Sequence, residues 1–155
     1  MRGKTPKRNI IPDPKYSSLT VSRFINKIME RGKKSTAQRV VYDCFEIVKE
    51  KMKKDPLEVF DSAIKNIAPD VEVKSKRIGG GNYQIPVPVS GERKNALAFR
   101  WIIKAAKDRK GAAMSSKLAD ELMAAYNKEG AAIKKKQDTY RMAEANRAFA
   151  HFARR

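Results

Sequence analysis

Residues 71–89 carry two prolines placed two positions apart in an alternating pattern, and this feature limits the possible folds more than any other. Apolar and polar residues alternate on both sides of Gly79-Gly80-Gly81-Asn82, which is typical of a β-hairpin. Residues two apart in a strand direct their backbone N–H groups to the same side, so Pro86 and Pro88 remove two donors from one edge. Because that edge cannot pair, the pattern predicts an isolated two-stranded ribbon. An isolated ribbon is only marginally stable in water, so it must pack against helices or against a partner.

Apolar residues at helical spacing predict six helices around this ribbon. Ser18 or Thr20 could cap the first helix, and Asp55 followed by Pro56 starts the third. We expect the last helix to bury Met142, Ala145 and Phe149. The predicted helices span about 19–31, 35–53, 56–68, 92–109, 115–127 and a final stretch that starts at Ile133 or Gln137 and ends near Phe152.

The predicted fold class is therefore mainly α, a six-helix bundle with one protruding β-hairpin and a basic N-terminal arm. Residues 1–17 form the arm, because they contain three prolines and few apolar side chains. Residues 18–155 form a single helical domain that includes the hairpin at 71–89.

The charge of the chain is large and unevenly distributed. Its 35 basic and 17 acidic residues give a net charge of +18. The net charge is +8 in residues 1–35, −2 in 36–72, +7 in 73–130 and +5 in 131–155. Self-repulsion of this size destabilises a compact state unless a polyanion compensates it, and nucleic acid is the first candidate.

The fourth predicted helix carries the most informative basic stripe. Arg93, Arg100, Lys104 and Lys107 fall within about 40° of one another around the helix axis. No carboxylate of this helix lies inside the stripe to neutralise it. The first predicted helix repeats the arrangement more weakly, with Arg23, Lys27 and Arg31 spaced by four.

Shorter basic clusters extend this surface to several sides of the molecule, although each alone is typical of a solvated face. A binder that meets phosphates from several directions suits a folded RNA better than a straight duplex. The clusters are Arg2, Lys4, Lys7 and Arg8; Lys33 and Lys34; Lys74, Lys76 and Arg77; and Lys134, Lys135 and Lys136.

Tyr83 beside the glycine-rich turn has two interpretations. Its ring could stack on a nucleic-acid base, because the glycines allow close approach of the backbone. It could equally pack on the helices of its own chain. The sequence leaves both open.

The sequence contains few groups that could support other functions. One Cys (Cys44) and one His (His151) cannot form an intramolecular disulfide or a four-ligand soft-metal site, so we expect no metal and no cofactor. We find no catalytic constellation, and we expect Asp120 and Glu121 to form a helix-surface pair. The chain lacks an apolar run long enough to span a membrane and the pattern of a secretory signal, so we expect a cytosolic protein without membrane contact.

Several stretches resemble one known family. DPKYSSLTVSRFINKIMERGKKSTA at 13–37, GGGNYQIPVPV at 79–89, LAFRW at 97–101 and KKKQDTYRMAEANRAFAHF at 134–152 occur in order and with matching spacing. They resemble the seventh protein of the small ribosomal subunit, bacterial type, over residues 8–152. The resemblance implies a non-enzymatic ribosomal constituent that binds small-subunit ribosomal RNA and nucleates assembly of the subunit head. It also implies a position in the cytoplasmic ribosome near the exit-site tRNA and the messenger path, contacts with the ninth and eleventh small-subunit proteins, and no homo-oligomer.

The resemblance also distributes the candidate residues over two surfaces. The predicted ribosomal-RNA residues are Arg2, Lys4, Lys7, Arg8, Arg23, Lys27, Lys33, Lys34, Lys74, Lys76, Arg77, Arg93, Lys94, Arg100, Lys104 and Lys107. The residues predicted to face tRNA or messenger are Gly79, Gly80, Gly81, Asn82, Tyr83, Lys134, Lys135, Lys136 and Arg141.

The alternative is a DNA-binding or chromosome-packaging helical protein that reads DNA with its second and third helices. The net charge of −2 in residues 36–72 argues against it, because a helix that enters a groove needs basic neighbours.

Overall fold

The computed structural model describes residue 3 and residues 9–154, which form a helical body with one β-hairpin. The helices are α1 (Leu19–Ile28), α2 (Lys34–Met52), α3 (Pro56–Ile67), α4 (Gly91–Asp108), α5 (Met114–Tyr126) and α6 (Ala131–Ala145). The strands are β1 (Val71–Ile78) and β2 (Gly81–Pro88), and a 3-10 helix (Arg147–Arg154) follows α6. The prediction of a mainly α fold with one two-stranded hairpin is confirmed.

Four phenylalanines from four helices meet at the centre of the body. Phe24 of α1 lies 5.1 Å from Phe60 of α3 and 5.2 Å from Phe99 of α4, measured between ring centroids. Phe45 of α2 lies 5.4 Å from Phe60. All four are buried, so this cluster fixes how the first four helices pack together.

The hairpin has the geometry that its glycines and prolines require. A two-residue loop joins the strands, with φ of 55° at Gly79 and 87° at Gly80, as a tight hairpin turn needs. Pro86 lies opposite Val73 and Pro88 opposite Val71. Among the described residues the sheet contains these two strands alone, which confirms the predicted ribbon.

Two helix starts follow the predicted caps. The Ser18 hydroxyl accepts a hydrogen bond from the Val21 backbone N–H at 3.4 Å, so Ser18 rather than Thr20 caps α1. The Asp55 carboxylate accepts from the Leu57 N–H at 3.2 Å, and Pro56 occupies the first turn of α3.

The prediction for the last helix is wrong in its bounds and in its buried face. Helix α6 starts at Ala131 and ends at Ala145, and the chain then continues as the 3-10 helix. Met142 is 45% exposed and Ala145 is exposed, whereas Thr139 and Ala143 are buried. The physical reason is that Phe149 and Phe152 pack on the hairpin instead of on the helical core.

The segment before α1 is anchored from Ile11 onward. The Ser22 hydroxyl donates to the Ile11 carbonyl at 2.7 Å. The buried Asp13 carboxylate accepts from the Tyr42 hydroxyl at 2.8 Å and from the Tyr16 backbone N–H at 3.1 Å. Burial, and then the bond to Asp13, raises the pKa of Tyr42 to about 12. The last residues of the predicted arm are therefore held against α1 and α2.

Candidate RNA-binding surface

Helices α1 and α4 lie side by side and are joined by ion pairs near both ends. The Arg23 guanidinium lies 3.5 Å from the Glu92 carboxylate near the start of both helices. Lys107 pairs with Glu30 near their other ends. Arg23, Lys27 and the cations of α4 thus belong to one surface. We call it the α1–α4 basic surface, defined by Arg23, Lys27, Arg93, Lys94, Arg100, Lys104 and Lys107.

The middle of this surface lacks acidic partners. Lys27, Arg100 and Lys104 are exposed, and none makes an ion pair with a described residue. An exposed cation without a carboxylate partner can bind a phosphate without first breaking an ion pair.

Near the start of α4 the surface does have acidic partners, although no carboxylate of α4 itself lies in the basic stripe. These carboxylates come from other elements. Arg93 pairs with Glu72 of β1, and Lys94 pairs with Asp70, which precedes β1. Periodicity within α4 could not reveal these partners, because they depend on tertiary packing.

Asp70 connects the base of the hairpin with α4 and α6. Its carboxylate accepts hydrogen bonds from Lys94 and from the Tyr140 hydroxyl, the latter at 3.1 Å. These two bonds hold the pKa of Asp70 below its ordinary range. The Asp70 carbonyl also accepts from the Val89 N–H at 2.9 Å, which closes the end of the ribbon.

The three predicted cations of β1 have different surroundings. Lys74 lies 3.0 Å from the Glu72 carboxylate. The Lys76 ammonium donates to the Phe152 carbonyl at 3.4 Å. Arg77, near the turn, is exposed and makes no ion pair with the part of the chain that the structure describes.

The turn and Tyr83 have opposite environments. Gly79, Gly80 and Asn82 are exposed. The Tyr83 ring packs on the 3-10 helix, with its centroid 5.1 Å from Phe149 and 5.9 Å from Phe152. A Cβ atom at Gly81 would lie 3.0 Å from Tyr83 Cε2, so glycine lets the ring fold back over the strand. In this conformation Tyr83 packs on its own chain.

The basic run at the start of α6 is divided by the fold. Lys134 and Lys135 are exposed, whereas Lys136 is half-buried and donates to the Asn66 carbonyl at 2.7 Å. Burial lowers the pKa of Lys136. Arg141 lies 3.8 Å from Asp138 on the same helix.

The remaining predicted residues form two groups along the chain. Lys33 and Lys34 are exposed at the start of α2. Arg2, Lys4, Lys7 and Arg8 lie outside the described residues.

The expectation that Glu121 lies on a helix surface is wrong. Its side chain is fully buried, and its carboxylate accepts from Arg109 Nη2 at 2.7 Å and Nε at 3.2 Å. It also accepts from the Ala132 N–H at 2.9 Å and so caps the start of α6. Glu121 lies three residues after Leu118 and four before Ala125, which places it on the apolar stripe of α5. That spacing is the sequence pattern that could have predicted its burial.

The described residues contain no group of three or more potential ligands that could hold a metal ion. None of their helices is long and apolar enough to cross a bilayer.

Comparison with known proteins assigns the chain to a family. The family described as ribosomal protein S7p/S5e matches residues 1–147. A protein of Thermotoga neapolitana, "Small ribosomal subunit protein uS7", is 56% identical over 151 residues, which cover 97% of each chain. The chain belongs to the S7p/S5e family of ribosomal proteins. The proteins of the same name from Thermotoga maritima and Chloroflexus aggregans are 53% and 52% identical, and they cover 97% and 99% of this chain.

Membership in the S7p/S5e family confirms the resemblance and its broad consequences. The chain is therefore a structural constituent of the small ribosomal subunit and is associated with ribosomal RNA. Proteins of this family are not enzymes. In bacteria this places it in the cytoplasmic ribosome.

Proposed function

We propose that this S7p/S5e protein is a primary binder of small-subunit ribosomal RNA and that the α1–α4 basic surface makes the principal contact. The observation that carries this proposal is a group of exposed cations in the middle of that surface, Lys27, Arg100 and Lys104, which make no ion pair with any described residue. Phosphate binding by such cations releases counterions and supplies most of the affinity for nucleic acid.

Nucleation of head assembly is the second part of the proposal. A domain with a buried, closely packed phenylalanine centre and cations on several sides can hold separate RNA segments in one arrangement. We therefore propose that this protein binds early and orders the RNA on which later proteins of the subunit head assemble.

A second surface would face tRNA and the messenger near the exit site. Its candidate residues are the hairpin turn, Gly79 to Asn82, and three exposed cations of α6, Lys134, Lys135 and Arg141. Lys136 and Tyr83 belong to it only in a supporting role, because both are engaged within the chain. Contacts with the ninth and eleventh small-subunit proteins complete the proposal and rest on the resemblance.

Charge reversal at the unpaired cations tests the principal contact. The variant Arg100→Glu with Lys104→Glu should weaken binding to full-length bacterial small-subunit ribosomal RNA by at least about a hundredfold at moderate salt. The slope of log affinity against log salt should fall by about 2, because two phosphate contacts are lost. Arg93 is left unchanged, because its reversal would also disturb its ion pair with Glu72.

Arg39→Glu with Lys49→Glu provides the matched control. Both residues are exposed on α2, make no ion pair with a described residue, and give the same change in net charge. The control should retain most of the affinity. Equal losses in both variants would show that total charge, and not the α1–α4 basic surface, controls binding.

A further inference from the structure

Glu72 is the one carboxylate of the hairpin. Its side chain lies beneath Lys74 and Arg93, two of the predicted ribosomal-RNA residues. The side chain is 11% exposed, and Val87 lies opposite it in the ribbon. Its Oε1 atom lies 3.0 Å from Lys74 Nζ. Its Oε2 atom accepts from Arg93 Nε at 3.1 Å and from Nη2 at 3.0 Å. One carboxylate therefore connects a lysine of β1 with an arginine of α4.

Both cations keep an outward side that this carboxylate does not use. The Lys74 and Arg93 side chains are 58% and 43% exposed. A guanidinium has five N–H donors, of which Glu72 takes two, so Nη1 and one N–H of Nη2 remain. Glu72 holds the inner side of each cation, and the outer N–H groups face solvent. A phosphate oxygen can accept hydrogen bonds from those outer groups.

The other carboxylates around the α1–α4 basic surface are placed differently. The side chains of Glu30, Asp70 and Glu92 are 68%, 70% and 80% exposed, and each lies beside its cation at the surface. An exposed carboxylate competes with a phosphate for the same cation and repels it. The charge of Glu72 is screened from an incoming phosphate by the two cations that cover it.

We propose that Glu72 is a positioning residue that holds Lys74 and Arg93 as a two-cation clamp for one backbone phosphate of RNA. The clamp lies where the hairpin meets the start of α4. Glu72 does not touch the RNA; it acts by ordering two long side chains before binding, which lowers the entropy cost of association. This inference rests on the proposed function, because it assumes that RNA binds the surface containing Arg93.

The test exploits two opposite predictions for one substitution. Glu72→Gln raises the net charge by one, so electrostatics alone predicts tighter binding to RNA. Loss of the clamp predicts binding about three- to tenfold weaker, because Lys74 and Arg93 must then be ordered during association. The affinity for full-length small-subunit ribosomal RNA is measured at several salt concentrations.

Glu92→Gln is the matched control, since it removes an exposed carboxylate from the same surface. Its affinity should equal or exceed that of the wild type. Glu72→Asp provides a second variant that keeps the charge but cannot reach both cations, and it should bind about as weakly as Glu72→Gln. It also decides the question if Glu72→Gln does not fold.

Side-chain dynamics separate positioning from a purely structural role. Nuclear magnetic resonance of the Arg93 Nε–H group should show increased motion in both Glu72 variants, under conditions in which each variant remains fully folded. Folded Glu72 variants that bind as tightly as the wild type would overturn the clamp, and so would weaker binding with an unchanged Arg93 side chain. Failure of the wild-type protein to bind this RNA would instead overturn the proposed function.

Discussion

At the scale of single residues, buried carboxylates connect elements that the sequence does not place together. Glu121 is the strongest case, because it binds Arg109 and caps α6 through the Ala132 N–H. Gly130 belongs to the same arrangement: its φ is 96°, and a Cβ there would lie 2.9 Å from Glu121 Oε1. The start of α6 therefore depends on one carboxylate and one glycine.

Replacing Glu121 should be strongly destabilising. Glu121→Ala leaves the Arg109 guanidinium without its partner and α6 without its cap, and we expect a loss of about 3–5 kcal/mol in the free energy of unfolding. Urea denaturation measures this loss. Glu129→Ala, at an exposed position beside α6, should change stability by less than about 0.5 kcal/mol; similar losses in the two variants would contradict the role assigned to Glu121.

The carboxylates near the hairpin base should make stability depend on acid pH. Burial of Glu72 favours its neutral form, but bonds from Lys74 and Arg93 outweigh burial and lower the pKa below the usual 4.5. A carboxylate with a depressed pKa stabilises the fold above the pKa of the unfolded chain, and this contribution is lost as pH falls through the folded value.

The stability difference between the wild type and Glu72→Gln should therefore be largest near neutral pH and shrink below about pH 4.5. Urea denaturation over a pH series measures it, with Glu129→Gln, which removes one exposed carboxylate, as the control for the change in net charge. A difference that stays constant from neutral to strongly acid pH would contradict the lowered pKa of Glu72.

At the scale of elements, the 3-10 helix and the hairpin stabilise each other. Tyr83 contacts Phe149 and Phe152, and Lys76 donates to the Phe152 carbonyl. Phe152→Ala removes one ring contact and should accelerate amide exchange in β2 by several-fold with little effect on the helical body. Arg147→Ala, at an exposed position of the same 3-10 helix, should leave that exchange nearly unchanged. Unaltered exchange in Phe152→Ala would show that the 3-10 helix does not support the ribbon.

The same elements show what periodicity can and cannot predict. The alternating prolines and the glycine turn were sufficient for the ribbon, because their effect is local. The end of the last helix was not predictable in this way, since Phe149 and Phe152 have the spacing of a helical stripe but pack on Tyr83. The basic stripe of α4 was found, whereas its partners Glu72 and Glu30 come from distant positions and needed the tertiary structure.

At the scale of the whole molecule, positive and negative charge are segregated between the surrounding elements and the central helices. Residues 36–72 carry a net charge of −2 and supply α3 and all of α2 except its first two residues; these helices pack around Phe45 and Phe60. The surplus of positive charge lies on the surrounding elements. A folded RNA that contacts those elements would relieve their mutual repulsion, so the protein and its RNA stabilise each other.

Cross-linking in cells, followed by sequencing of the attached RNA and mapping of the modified peptides, tests this claim most directly. The account predicts that small-subunit ribosomal RNA is the main attached RNA. It also predicts that the cross-linked peptides come from α1, α4 and the hairpin, while the outer face of α2 that carries Arg39 and Lys49 remains unmodified. Cross-links concentrated on this outer face of α2, or attached RNA that is mainly not ribosomal, would contradict it.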